Sequence, residues 1–258
     1  LDAAAQGADI RTRTALVSAR REDGIWNATL SDGSTVSARA IINAAGPWVT
    51  EALAATGSNS RAAIRLIKGS HIVVDRLFEG EHAYMLQQPD GRIVFAIPWL
   101  DHFTLIGTTD EPVERPEDAT IRADEIAYLC AAANLYFTTS ITPDDVRSTY
   151  SGVRPLYDDG ASEAKSVTRD YVLELDTSAA PILSVFGGKI TTARHLAEDA
   201  LGRLLPAMGL KSRAVTRDRV FPGGALGSDF DSFLRDHVLT RWPYLGTARA
   251  ERMARAYG

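Results

Sequence analysis

Between Ile64 and Thr109 the chain strings together one β-type segment after another, with no helix-length stretch between them. No other feature constrains the fold as strongly. The segments are Ile64–Val74, Tyr84–Gln87, Arg92–Ile97 and Phe103–Thr108, parted by turn-like residues that include Asp90-Gly91. Strands that follow each other over short connections favour an antiparallel sheet. A helix comes next, because Ile126, Leu129, Cys130, Ala133, Tyr136 and Phe137 recur at helical spacing and form one apolar face. Two further strands, near Tyr150–Leu156 and Tyr171–Leu175, are expected to return to the same sheet.

The flanks read differently. Residues 1–7 look like the end of a helix closed by Gly7. The chain opens on Leu1-Asp2-Ala3 rather than Met, and is expected to be a cut from a longer protein. Arg13–Arg20 and Ile25–Leu30 read as strands, and Ser31-Asp32-Gly33-Ser34 turns the chain into one more strand over Thr35–Asn43. Gly46-Pro47 opens a helix, where proline's missing N–H costs nothing at the first position, and Gly57 closes it. Pro181–Phe186 is a short buried-type strand that runs through Gly187-Gly188 into a long helix, with Ile190, Ala193, Ala197, Leu201 and Leu204 expected on its inner face. After Pro222-Gly223-Gly224, Ser228–Leu239 and Thr247–Tyr257 read as short amphipathic helices.

Composition excludes several classes. With 28 Lys and Arg against 33 Asp and Glu, there is no basic surplus to hold nucleic acid. The single cysteine, Cys130, cannot form an internal disulfide or a cysteine-rich zinc site, and suits a reducing compartment. No apolar run approaches the roughly 20 residues of a membrane span. His71, His82, His102, His195 and His237 show no metal-ligand spacing, so no metal is expected.

Four strings have the residue types for chemistry. Val185-Phe186-Gly187-Gly188-Lys189-Ile190-Thr191-Thr192 passes from strand to helix. There, free N–H groups, the helix dipole and Lys189 favour an anion or an electron-rich ring. A tight turn with a solvated lysine fits the same residues equally well. It is not a Walker A loop, since Ile190 follows Gly188-Lys189. Asn43-Ala44-Ala45-Gly46-Pro47-Trp48 is a second strand-to-helix passage whose small residues admit a flat ligand, although plain packing explains it too. In Ser151-Gly152-Val153-Arg154-Pro155-Leu156, Arg154 sits in a buried-type segment and needs an acceptor: a bound anion, or an internal acid at Asp158 or Asp159. Arg169 is a second candidate with a blander reading at a strand edge. In Lys68-Gly69-Ser70-His71, His71 has the side chain that titrates near neutrality, though a lone histidine is more often a packing residue.

Taken together, these strings resemble the FAD-dependent glycerol-3-phosphate dehydrogenase family, within the wider group of D-amino-acid-oxidase-like flavoproteins. The resemblance is carried by Ser18 to Glu22, Asn43 to Trp48, Arg65 to Val74, Ile97-Pro98-Trp99, Ile106 to Asp110, Tyr150 to Leu156, Thr168 to Tyr171 and Leu183 to Thr192. It implies an α+β fold: an antiparallel-sheet substrate domain, a partial FAD-binding Rossmann-like region and the start of a helical C-terminal domain. The implied boundaries are 1–60 for the partial FAD-binding region and 61–175 for the substrate sheet. Residues 176–210 would form the FAD-binding strand, loop and helix, and 211–258 the start of the helical domain. The family's opening G-x-G-x-x-G is absent, so this stretch by itself is expected to be inactive and not to hold FAD stably.

By the same resemblance, Val17 lies near the adenine end of FAD, and Ala44, Ala45, Gly46 and Trp48 lie along the cofactor. Gly188, Lys189, Ile190 and Thr191 approach its ring system. Arg154, Arg169 and Lys189 hold the substrate anion, and His71 is the base. The implied reaction is oxidation of sn-glycerol 3-phosphate to dihydroxyacetone phosphate, with electrons passing to quinone. The protein would sit in the cytoplasm, peripheral to the cytoplasmic membrane, and possible pairing into a homodimer belongs to the same expectation. A glycerol-3-phosphate oxidase that reduces oxygen is the near alternative. A non-catalytic substrate-binding or dimerising module is the distant one.

Overall fold

The computed structural model describes residues 2–158, 170–227 and 229–257. They fall into two compact units. One comprises Ala15–Ser212; the other joins residues 1–14 to 213–258.

The larger unit is built on a six-stranded antiparallel sheet. Its strands are β5 (Ile64–Asp75), β6 (Tyr84–Gln87), β7 (Ile93–Trp99), β8 (Phe103–Gly107), the short β9 (Glu111–Pro112) and β10 (Ser148–Tyr157), along the path β10-β5-β8-β7-β6 with β9 beside β5. Alternation along β7 is clean: Val94 and Ala96 are buried while Ile93, Phe95, Ile97 and Trp99 are exposed. The buried face carries Ile72, Val74, Leu86 and Ile106 as well. It packs on helix α3 (Ala123–Asn134) through Leu129, Cys130 and Ala133.

A second sheet, β1 (Leu16–Glu22), β2 (Ile25–Leu30) and β3 (Thr35–Ala38), is an antiparallel meander. A third contains β4 (Ile41–Asn43), β11 (Tyr171–Asp176) and β12 (Ile182–Gly187) in the order β11-β12-β4. In this sheet β12 runs parallel to β4, with Ile182, Leu183 and Ser184 opposite Ile41, Ile42 and Asn43. Helix α2 (Val49–Ala55) follows β4 after a tight turn, and helix α4 (Ala193–Ala207) follows β12.

Three expectations need correcting. The single strand expected over Thr35–Asn43 is two strands in different sheets, broken at Arg39-Ala40, where no glycine or proline marks the change. Tyr171–Asp176 does not return to the large sheet. Its short connection of Thr177 to Pro181 makes it the hairpin partner of β12. Of the residues expected on the inner face of α4, Leu204 is buried there, but the face is otherwise a different one. Leu196, Ala200, Leu204 and Met208 pack on Leu173, Leu183 and Val185, whereas Ile190 is 91% exposed and Leu201 is exposed.

In the smaller unit, helix α1 (Asp2–Ala5) ends before Gly7, whose φ of 94° is the left-handed conformation that glycine adopts freely. Helix α5 (Phe230–Phe233) continues as a wider turn over Leu234–Leu239, and α6 (Thr247–Tyr257) packs back on it through Ala250 and Ala254. Arg219 pairs with Asp2 at 2.9 Å and ties the first residues to this unit.

Candidate active site

Parallel pairing of β4 and β12 brings two glycine-containing loops to one edge. Both strands run in the same direction, so the turn after Asn43 and the turn after Phe186 leave from neighbouring carboxyl ends. Ligands of open α/β sheets collect at such ends. The buried Asn43 shapes the first turn: its side-chain amide donates to Val49 O at 2.9 Å and its oxygen accepts from Ala45 N at 3.3 Å. The second turn depends on glycine. Gly187 has φ of 76°, and a Cβ there would lie 2.8 Å from the carbonyl oxygen of Asp170.

Between the two turns lies a cleft of about 370 Å³ walled by Ala44, Gly46, Pro155, Gly188, Lys189 and Ile190, among others. Five expected cofactor-contact residues, Ala44, Gly46, Gly188, Lys189 and Ile190, are thus brought together. The remaining four fall outside its lining. Ala45 meets Asn43, Thr191 is in the short turn before α4, and Trp48 donates from its indole to Glu117 at 3.0 Å. Val17 is exposed on β1, in another sheet.

His71 and Arg154 lie on the face of the large sheet turned away from α3. Register sets Tyr150 opposite His71 on one side and Gly107 opposite it on the other. The imidazole stacks on Tyr150 with ring centres 4.7 Å apart and planes 7° from parallel. Burial, and then the nearby positive charge of Arg154, lower the His71 pKa below its ordinary 6.5, so the ring is neutral at pH 7. His71 Nδ1 is buried and makes no hydrogen bond to the described residues.

Among the described residues the internal acid that Arg154 meets is Asp110, not Asp158. Its guanidinium pairs with Asp110 and donates to Thr108 Oγ1 at 3.0 Å and Thr109 O at 3.1 Å. Asp158 pairs instead with Arg65 at 2.9 Å. Asp159 and Arg169 lie outside the described residues. Pro155, next to Arg154 on β10, walls the cleft, so one strand links the basic face to the glycine turns.

Beneath this face is a buried polar network that no pattern in the sequence marks. The ammonium of Lys68 and the carboxylate of Glu125 each have only 2% of the side chain exposed and meet at 2.7 Å. Lys68 also donates to Thr120 O at 2.7 Å. Glu125 accepts from Ser70 Oγ and Thr109 Oγ1, both at 2.8 Å, and from Arg122 N at 2.9 Å. Ser70 Oγ lies 2.8 Å from Ser151 Oγ. The network therefore clamps β5, β10 and the residues after β8 from below, while Gly69, His71 and Arg154 occupy the face above. Among the described residues no cluster of His, Cys, Asp and Glu is arranged to hold a metal ion.

The family model described as FAD dependent oxidoreductase matches residues 1–194. A glycerol-3-phosphate dehydrogenase of Pseudomonas aeruginosa is 45% identical over 100% of this chain and 52% of its own length. A D-erythritol 1-phosphate dehydrogenase of Brucella abortus is 43% identical over 99% of this chain and 53% of its own. Among solved structures, glycerol-3-phosphate dehydrogenase from Bacillus halodurans in complex with FAD superimposes with a TM-score of 0.80 at 30% identity, covering 100% of this chain and 52% of that one. The chain spans about half the length of the curated relatives it matches.

Proposed function

The chain belongs to the FAD-dependent oxidoreductase family, and on that premise we propose that the protein carrying it oxidises sn-glycerol 3-phosphate to dihydroxyacetone phosphate. The observation that carries this reading is a neutral imidazole and a fixed guanidinium side by side on one sheet face, joined through Pro155 to the glycine-walled cleft. The cleft fits FAD. Two parallel strand ends, small residues at Ala44, Gly46 and Gly188, and open space over Gly46 let a flat ring approach backbone. Ala44, Gly46, Gly188, Lys189 and Ile190 would hold it, and when bound it supplies the two-electron acceptor.

The residues of the chain provide the rest. Arg154 and Lys189, with Arg169, meet the phosphate and the charge developing on the C2 oxygen. Arg154 is already oriented by Asp110 and Thr108, so binding spends little on ordering it. His71 Nε2 takes the hydroxyl proton of the substrate as the C2–H bond breaks. A neutral ring at pH 7 is the form that can accept it.

Two measurements on the full-length protein test this. Arg154→Ala removes a charge-assisted contact worth about 1.5–3 kcal/mol, which raises KM for glycerol 3-phosphate by about 10- to 150-fold. Unchanged kcat/KM would assign Arg154 to structure alone. His71→Gln lowers kcat and removes the acidic limb of the pH–rate profile. That limb lies below pH 6.5, because the rate rises as the depressed His71 pKa is passed and the ring loses its proton. A variant that keeps the limb has its base elsewhere.

The same dye-reduction assay run with D-erythritol 1-phosphate decides between the two phosphorylated polyols named by the relatives. Oxygen uptake without added quinone separates an oxidase from a quinone-linked dehydrogenase. We place the protein at the cytoplasmic face of the membrane, in contact with quinone and peripheral to the lipid. No helix among the described residues is long and apolar enough to cross a bilayer. Pairing into a homodimer belongs to the same proposal.

A further inference from the structure

We infer that Gly107 and Gly69 are positioning residues, whose missing side chains seat the imidazole of His71 and the guanidinium of Arg154 flat on the sheet. The inference rests on the functional reading above for its catalytic consequence, and on geometry alone for the seating. A Cβ built on Gly107 would lie 2.1 Å from His71 Cδ2, 2.6 Å from Cγ and 2.7 Å from Nε2. A Cβ on Gly69 would lie 1.9 Å from Arg154 Nη2 and 2.5 Å from Thr108 Oγ1. Real Cβ atoms do not approach other atoms that closely, so an alanine at either position displaces the side chain lying over it.

Neither glycine has a positive φ. Each is needed for what it leaves open. Gly107 is the β8 residue opposite His71, so the ring is held between Tyr150 on one strand and bare backbone on the other. Gly69, two residues before His71, does the same for Arg154 and lets it reach Asp110 and Thr108 across the strand. Gly152 supplies the internal control. It lies opposite Gly69 on β10, yet a Cβ there would meet nothing within 4 Å among the described residues.

The first readout needs no cofactor and no turnover. The chain carries five histidines, and the ring resonances of His71 are followed against pH in the chain itself. Among the described residues, the charged and titratable groups facing that ring are Arg154 and Tyr150 from β10, with Asp110 behind Arg154. Gly107→Ala lifts the ring out of its seat, so its titration moves up toward the ordinary histidine value. Gly69→Ala moves the Arg154 charge and shifts the same titration. Gly152→Ala leaves it in place.

In the full-length enzyme, Gly107→Ala lowers kcat by about 100-fold, the scale of an ångström-sized misplacement, with KM little changed. Gly69→Ala raises KM for glycerol 3-phosphate, and Gly152→Ala changes neither. An unmoved His71 titration in Gly107→Ala overturns the inference. So does Gly152→Ala matching Gly107→Ala, or full activity in Gly107→Ala while His71→Gln is impaired. If His71→Gln itself keeps full activity, the functional reading fails and the seating does not. Should Gly107→Ala fail to fold, Gly69→Ala decides, since its clash is with the flexible end of an arginine.

Discussion

Glu125→Ala lowers the unfolding free energy of the chain by about 3–5 kcal/mol, the cost of removing one member of a buried ion pair. The variant leaves the Lys68 ammonium 2% exposed with Thr120 O as its remaining acceptor, and takes from Ser70 and Thr109 the carboxylate that both hydroxyls donate to. Relaxation that lets water reach Lys68 sets the lower end of the range. Lys68→Met/Glu125→Leu removes both charges and costs much less than either single change, since the attraction between the pair does little more than offset the loss of hydration. Urea melts of Lys68→Met, Glu125→Leu and the double complete the cycle. Additive losses would show that the pair is not coupled.

The pH dependence has a definite sign. Burial pushes the Glu125 carboxyl up, but hydrogen bonds from Lys68, the Arg122 amide, Thr109 and Ser70 outweigh it and hold the group below its ordinary 4.5. A depressed carboxyl contributes stability that is whole above pH 4.5 and is lost as pH falls through the folded value. Glu125→Ala therefore flattens the acid side of the stability curve.

How much of this is legible in the sequence varies by kind of information. Ile25–Leu30 and Tyr84–Gln87 are strands with the bounds read from the sequence, because short β-type runs between turn residues are a local signal. The break inside Thr35–Asn43 is not local. Ala38 and Ile41 go to different sheets because Trp26 claims the first as its strand partner and Ile182 claims the second. The face of α4 is legible only at Leu204, for a related reason. Its alanines and leucines fall on both sides, and the side that is buried is chosen by Leu173, Leu183 and Val185 in distant strands.

At the site, the two glycine turns were readable as strings. The partners were not. Asp110 lies 44 residues from Arg154, and Glu125 lies 57 from Lys68. Both acids stand in segments with other charges nearby, and nothing in their spacing singles them out. Gly107 carried no role in the sequence because a residue defined by an empty volume shows its purpose only when the neighbour filling that volume is placed.

Trp26→Ala costs about 3–5 kcal/mol, the range for truncating a large aromatic in a packed core. Trp26 is fully buried and shares its core with Val49, Leu53, Ile182 and Phe186, residues of α2 and β12. The guanidinium of Arg21 lies 4.5 Å above the ring and closes it from outside. The indole N–H donates to Pro181 O at 2.9 Å. That carbonyl also accepts from Ile41 N at 3.0 Å, so the indole braces the residue at which the parallel pair β4 and β12 begins. Trp26→Phe separates area from hydrogen bonding. The smaller ring keeps most of the contact area, and Pro181 O keeps its bond from Ile41, so no acceptor is orphaned. Loss of the indole bond then costs about 0.5–1.5 kcal/mol, with a smaller addition for the volume left empty. The cleft lies at the opposite, carboxyl ends of β4 and β12, and in the folded protein Trp26→Phe leaves the His71 titration where it is. Equal destabilisation by alanine and phenylalanine would place the stability in the single hydrogen bond. A His71 titration that moves with Trp26→Phe would mean that the two ends of the strand pair are mechanically coupled.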